Sequence, residues 1–275
     1  MDAISKPIPE AKLRVVSLGA GVQSTTLCLM AAKGKIGPMP DCAIFADTGW
    51  EPKQVYEHLD WLEQQLPFPI HRVTAGDLRQ ATIDRKNLAG GRFASIPFYT
   101  EGGGLGRRQC TREYKVAPIE KKQRELLGFQ PRKHIPPNSS EVWIGISTDE
   151  IVRMKDARRK WQRNRWPLIE QRMSRGDCIV WLEKNGFPVP AKSACIGCPY
   201  HNDALWAEMK REDPTSFKDA VYIDNYLRHD GAPSKGMAQR EFMHSTLKPL
   251  EDVKFSEDRG QMDMFLDECD GLCGT

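Results

Sequence analysis

Paired thiols and a glycine turn rich in hydroxyls are the parts of this chain whose residue types and spacing could do chemistry. Cys195-x-x-Cys198 puts two thiols on one tight turn, where Gly197 relieves crowding. That spacing suits a soft metal, an iron–sulfur cluster or a redox dithiol, and zinc and iron–sulfur centres draw on the same thiolates. Cys269-x-x-x-Cys273 makes a second pair near the C-terminus, and Cys110 stands alone behind a Gly-rich stretch. Cys28, Cys42 and Cys178 lie within apolar periodicity and read as core residues.

The other candidate is Ser17-Leu-Gly-Ala-Gly-Val-Gln-Ser-Thr25. It follows the apolar run Leu13 to Val16 and precedes a helical pattern from Leu27 to Ala32. Backbone N–H groups and the helix dipole favour an anion at such a junction. Gly19 and Gly21 allow positive φ and close approach, while Ser24 and Thr25 can cap the helix or donate to phosphate. The turn has neither the Gly-Lys-Ser/Thr ending of a P-loop nor G-x-G-x-x-G, and by itself it reads equally as a tight connection with an N-cap.

The elements that must position these residues alternate. Cys42 to Ala46 reads as a second strand, ending in Asp47-Thr48-Gly49 and followed by a helix from Glu51 to about Leu66. Two strands that each end in a small polar turn and feed a helix predict an open α/β sheet with ligand groups at the strand C-termini. A third short strand is expected at Ile70 to Val73, with a helix from Asp77 to Arg85. Ala89 to Arg108, rich in Gly, reads as a mobile loop or lid. Further helices are expected at 113–127 (with Pro118 a kink or late start), 177–185, 202–212 and 216–227, and a strand from Glu141 to Ile146. The expected division is residues 1–200 as a nucleotide domain and 201–275 as a helical extension with an acidic, Cys-containing tail.

The 275 residues are 40% hydrophobic, ordinary for a globular protein. With neither a bilayer-spanning run nor a secretory pattern, a cytoplasmic protein without membrane contact and without a disulfide framework is expected. The net charge of +3 is unevenly spread. Arg153 to Arg175 is basic and holds Trp161 and Trp166; Glu251 to Asp270 is acidic. A basic stretch with tryptophans suits phosphate contact and base stacking by a nucleic acid, although solvated arginines and buried tryptophans are the simpler account.

Five pieces recur in order: Ser17 to Thr25; Ala46-Asp-Thr-Gly49 with Glu51; Cys110-Thr-Arg-Glu-Tyr-Lys115 with Pro118-Ile119; Trp143-Ile-Gly-Ile-Ser147 with Asp149, Glu150 and Arg153; and Pro167-Leu-Ile169, Asp177 and the Cys195/Cys198 turn. Together, from about Val15 to Met209, they resemble the phosphoadenosine phosphosulfate reductase branch of the PP-loop (adenine nucleotide α-hydrolase-like) superfamily. The resemblance implies a PP-loop/HUP-like fold: an open, mostly parallel sheet with helices on both faces, here with a Cys-containing C-terminal extension. It implies that Ser17, Gly19, Gly21, Gln23, Ser24, Thr25 and Gly145 hold the phosphates of ATP or adenylyl sulfate, with Mg²⁺ a candidate ion. Asp47 and Thr48 would lie beside the nucleoside, and Arg153 would act on phosphate or substrate. In iron–sulfur members an adjacent Cys pair and a later C-x-x-C bind a [4Fe–4S] cluster. Cys110, Cys195 and Cys198 match three of those places, Gln109 or Thr111 stands at the fourth, and Cys269 or Cys273 could supply it; zinc is the alternative. Glu268-Cys269 resembles the C-terminal Glu-Cys whose thiol attacks sulfur in sulfonucleotide reductases.

One departure bears on mechanism. Gln23 stands where ATP pyrophosphatases carry Asp, so it offers Mg²⁺ no carboxylate. Three readings follow. In the first, the chain is an ATP-dependent sulfur-transfer enzyme that adenylylates a nucleic acid or small-molecule acceptor before sulfur arrives, aided by a sulfur or electron donor protein. In the second it reduces a sulfonucleotide to sulfite with Cys269 as nucleophile. In the third it is a non-catalytic zinc or nucleotide-binding module.

Overall fold

The computed structural model describes residues 7–90, 94–231 and 239–256. The chain runs β1 (Leu13–Leu18), α1 (Val22–Ala32), β2 (Cys42–Asp47), α2 (Lys53–Gln65), β3 (Ile70–Thr74) and α3 (Leu78–Ile83), then the short β4 (Tyr99–Thr100). A π-helical turn (Thr111–Val116) leads into α4 (Ala117–Leu126), β5 (Ser140–Ile144), a 3-10 segment (Thr148–Arg153), β6 (Gln162–Arg165), α5 (Pro167–Glu170) and α6 (Arg175–Lys184). Helices α7 (Asp203–Glu212) and α8 (Pro214–Tyr226) and the short β7 (Glu241–Phe242) follow.

Five strands form an all-parallel sheet in the order β3-β2-β1-β5-β6, so β1 is central. Side chains alternate across a strand, and here both faces are covered. Val16 and Leu18 of β1 pack with Val22 and Leu29 of α1, Leu59 of α2 and Leu182 of α6. Leu13 and Val15 point the other way, to Ile44 of β2 and Ile119 of α4. Full burial of each such side chain contributes about 1.5–3 kcal/mol. Helix α1 is buried from Val22 to Ala31, whereas α2 buries only Val55, Leu59 and Leu62, one stripe of an amphipathic helix. The expected α/β architecture with helices on both faces is the one observed.

Three expectations change. The stretch 162–165, read as part of a basic segment, is the edge strand β6. Its Arg165 is buried because Glu170 lies 2.8 Å away, Glu141 3.5 Å, and the Trp143 ring centroid 4.7 Å from its guanidinium carbon. Of the stretch read as a loop or lid, residues 94–98 are buried, whereas 101–108 are exposed. Ala94, Ile96 and Phe98 are buried in a second core with Trp206, Phe217, Ile223 and Met243, and β4 pairs antiparallel with β7. That core draws on residues from both sides of residue 200. The strand expected at Glu141 to Ile146 ends at Ile144, because the chain turns there to pack on the first turn of α1. Among the described residues no helix is long and apolar enough to cross a membrane.

Candidate active site

The chain leaves β1 toward β2 on one side, and β5 later joins β1 on the other. A crevice opens at such a switch point, beyond the carboxyl ends of the strands, where open α/β sheets take ligands. The glycine turn is one wall. Its left-handed residue is Ala20 at φ 60°, while Gly21, the N-cap of α1, is extended at φ −91°, which any residue could adopt. A Cβ at Gly21 would stand 3.9 Å from Ser193 Cβ, an ordinary contact, so the segment 193–195 lies against the turn without glycine being required there by the chain's own packing. Gly145, just beyond β5, packs directly on the first turn of α1, where a Cβ would lie 2.9 Å from Ser24 N. Among the described residues no side chain caps α1, and no acidic residue occupies its first turn, so its positive end meets the crevice without compensation from those sources. The Ser17 hydroxyl is buried at the same edge and has no hydrogen-bond partner among the described residues.

Not every expected phosphate contact is placed alike. Ser24 Oγ donates back to Gly21 O at 3.3 Å, and Thr25 Oγ1 lies 2.9 Å from His58 Nε2, beneath the turn. Burial lowers the His58 pKa to about 4, so this imidazole is neutral at physiological pH. Gln23 is buried in a polar network: its amide donates to Glu150 Oε2 at 3.2 Å and Ser147 Oγ at 3.5 Å, and its carbonyl accepts from Arg175 Nη1 at 3.2 Å. Arg153 is paired with Glu150, and Arg175 N donates to Asp149 at 3.1 Å. Arg153 is thus anchored at the crevice.

The thiols gather on the β2 side. Cys110, Cys195 and Cys198 line one small, mostly apolar cavity with Thr48, Lys115, Arg108 and Tyr200. Ile196 N donates to Trp50 O at 2.8 Å, which ties the Cys turn to the end of β2. Gly197 is seated on the Trp50 ring, where a Cβ would come within 2.0 Å of it. Behind the cavity is Glu51. Its Oε1 accepts from Thr48 Oγ1 at 3.1 Å and from Cys195 Sγ at 3.3 Å, with Lys115 Nζ at 3.8 Å. Asp47 Oδ1 accepts from Gly49 N at 2.8 Å and Tyr56 OH at 2.9 Å. Thr48 is buried and faces the thiols.

The structure therefore brings Gly21, Gln23, Ser24, Gly145 and Arg153 together around the crevice, and Cys110, Cys195, Cys198 and Thr48 around the adjoining cavity. Cys269 and Cys273 lie outside the described residues, as does the acidic tail from 257 onward. Among the described residues, no three His, Cys, Asp or Glu side chains stand close enough to hold a single metal ion. Cys28, Cys42 and Cys178 are core residues, and burial pushes the Cys42 and Cys178 thiols up to about 12. Trp161 and Trp166 are buried, which corrects the base-stacking expectation for them. Arg159 pairs with Glu120 at 2.9 Å and Arg165 with Glu170, so part of the basic stretch is neutralised within the fold. Sequence reading placed Arg175 at the end of a basic stretch suited to phosphate contact and gave no role to Lys115. Lys115 is five residues beyond Cys110, but nothing in that spacing announces that both reach one cavity.

No family model matches the chain. An uncharacterized 37.8 kDa protein encoded in the gpa 5′ region of Escherichia phage 186 is 34% identical over 85 residues. The match covers 31% of this chain and 24% of that protein, so the chain spans about a quarter of that relative's length. Among solved structures, the phosphoadenylyl-sulfate (PAPS) reductase of Candida auris in its phosphate complex aligns with a TM-score of 0.44 at 13% identity, over 66% of this chain and 76% of that one.

Proposed function

We propose that this chain is an adenine-nucleotide-dependent enzyme of sulfur transfer, with an iron–sulfur cluster in the thiol cavity. The observation that carries the reading is the segment 193–195. Ser193 lies against Gly21 of the nucleotide turn, Ala194 and Cys195 line the thiol cavity, and so one short stretch joins the two sites. The donor set fits a cluster: three thiols from two distant segments line one cavity, two cationic side chains line it too, and a buried carboxylate oxygen beside Cys195 has no hydrogen-bond partner among the described residues. Cys110, Cys195 and Cys198 would hold the cluster, which when bound supplies an iron for sulfur to bind or electrons for its reduction. The first turn of α1 and Ser17 would hold phosphate, Gly145 would hold the end of β5 against that turn, and Arg153 and Arg175 would balance the anion's charge.

A specific observation favours sulfonucleotide reduction as the second reading. Glu150 is engaged by Gln23 and Arg153, and Asp149 by the Arg175 N–H. The turn thus offers no side chain dedicated to Mg²⁺, whereas a nucleotide cleaved at sulfur needs none at the α-phosphate. Anaerobic purification with iron and sulfide determination, followed by calorimetry with ATP and adenylyl sulfate, tests both. Brown protein that binds ATP and releases AMP and pyrophosphate supports sulfur transfer, and sulfite release from adenylyl sulfate or its 3′-phosphate supports reduction. Stoichiometric zinc without iron, together with no nucleotide affinity, overturns both.

A further inference from the structure

We propose that a cavity beside the stretch leading into β4 binds a small organic carboxylate with a flat apolar body. The site is distinct from the nucleotide crevice and stands whether or not the thiols carry a cluster. The cavity measures about 490 Å³, a volume within the range of about 300–1,000 Å³ usual for small-molecule sites. Ala94, Ile96, Phe98 and Thr100, alternate residues of one stretch, line it. The first three are buried and make an apolar floor. The chain then doubles back. Gly106 N donates to Phe98 O at 2.9 Å and Gln109 N to Ser95 O at 3.0 Å, so 106–109 runs antiparallel beside 95–98. The return is close, since a Cβ at Gly106 would press on Pro97 Cα at 3.3 Å. It brings Arg107 and Gln109 to the cavity. Ile96 also lines the thiol cavity, so the two cavities share a wall.

Charge decides the sign of the occupant. Glu241 of β7 lines the cavity too, but it is ion-paired with Arg85, which is buried. A cationic ligand would have to take Glu241 from that pair, and breaking a buried pair is strongly destabilising. Among the described residues the Arg107 guanidinium has no ion-pair or hydrogen-bond partner, and neither has the side-chain amide of Gln109. A guanidinium presents a planar fork of donors that matches a carboxylate, and the amide adds one more donor. One uncompensated cation matches one negative charge, which favours a carboxylate over a phosphate dianion. The floor of Ile96 and Phe98 suits an aromatic or otherwise flat body, with ring stacking on Phe98.

The test is calorimetric titration of the full chain with 2-naphthoate, and with 2-naphthamide and 2-naphthylmethylammonium as neutral and cationic probes of the same shape. Naphthoate should bind with a Kd below about 1 mM, and the other two at least about tenfold more weakly. Arg107→Gln should weaken naphthoate about tenfold and leave the amide unchanged, and Arg107→Lys should recover part of the loss. Arg107 is exposed, so these variants should melt as wild type does. Ala94→Leu, which fills the floor, should weaken naphthoate and naphthamide alike. Naphthoate that binds no better than the amide, or equally well to Arg107→Gln, overturns the proposal, and does so even if Ala94→Leu fails to fold. No binding of naphthoate at about 1 mM overturns it as well. None of the probes is a nucleotide or a metal, so naphthoate bound through Arg107 by a protein without iron or ATP affinity supports this site while the proposed function fails.

Discussion

A single methyl group added at Gly145 tests whether the crevice between β1 and β5 holds the nucleotide. In Gly145→Ala the new Cβ would stand 2.9 Å from Ser24 N, 3.1 Å from Ser24 Cα and 3.3 Å from the Gln23 carbonyl carbon. All three are backbone atoms in the first turn of a helix buried from Val22 to Ala31, so no flexible side chain can swing aside. Relief requires the turn after β5 and the start of α1 to part by about half an ångström, overpacking of a kind that costs about 1–3 kcal/mol. In a chain of this size each kcal/mol lowers the melting temperature by roughly 2–4 °C, so a fall of roughly 2–12 °C is expected. On the proposed reading the same displacement carries the Ser24 N–H away from the phosphate. Hydrogen bonds to charged groups contribute roughly 1.5–3 kcal/mol each, so weakening even one should cost about tenfold in affinity.

Thermal melts and calorimetric titration with ATP and adenylyl sulfate read the two effects separately. Gly21→Ala is the control, because it adds the same atom to the turn itself. Its Cβ meets only Ser193 Cβ, at 3.9 Å, and its φ of −91° suits alanine. Gly21→Ala should melt as wild type does. If Gly145→Ala melts and binds as wild type does, the close packing of β5 on the turn is wrong and so is the crevice assignment.

Three further outcomes are expected. Gly197→Ala should destabilise the Cys turn by about 1–3 kcal/mol and cut metal uptake, since its Cβ would meet the buried Trp50 ring, itself held by Asp219 at 2.7 Å; unchanged melting and metal content would count against the seating of the turn. In the metal-free protein at pH 8, iodoacetamide should label Cys110, Cys195 and Cys198 well before Cys28, Cys42 and Cys178, whose thiols burial holds far above that pH; mass spectrometry of the early adducts decides. Stability should decline as pH falls from about 6.5 to about 4, because burial lowers the His58 and His201 pKa values to about 4, so the unfolded chain binds protons first; His58→Gln should flatten that decline in melts taken across the range.

The fold was legible where burial is two-sided. Val15, Val16 and Leu18 in β1 and Ala43, Ile44 and Phe45 in β2 are apolar runs because the sheet is covered on both faces, and the helices expected from Asp77 and Asn202 are α3 and α7, which those residues cap. Strand β6 was not legible, because Gln162-Arg-Asn-Arg165 contains no apolar residue. Such an edge strand is set by its neighbour's backbone and by contacts from distant segments, as in the hydrogen bond that Arg165 Nη1 donates to Gly37 O at 2.9 Å. The same limit applied to the site. The glycine turn and the C-x-x-C are local and visible, whereas the Glu51–Cys195 and Gln23–Arg175 contacts join residues 144 and 152 apart in sequence.

Gln23 shows how the substitution of one atom type decides what a site can hold. A carboxylate at that position would face Glu150 at about 3 Å in a buried place, where like charges repel strongly and one of the two must take up a proton. An amide donates to Glu150 and accepts from Arg175 at once, which no carboxylate can do at neutral pH. Glu150 in turn positions Arg153, and Asp149 holds the N-terminus of α6 through Arg175 N. The wall facing the nucleotide turn is therefore fixed by charges already matched within the chain. On the proposed reading, a metal–triphosphate would have to break that match to gain a carboxylate ligand, while an adenylate held by N–H groups and guanidinium leaves it intact. On that same reading the crevice suits an adenylate held by N–H groups more than a metal–triphosphate.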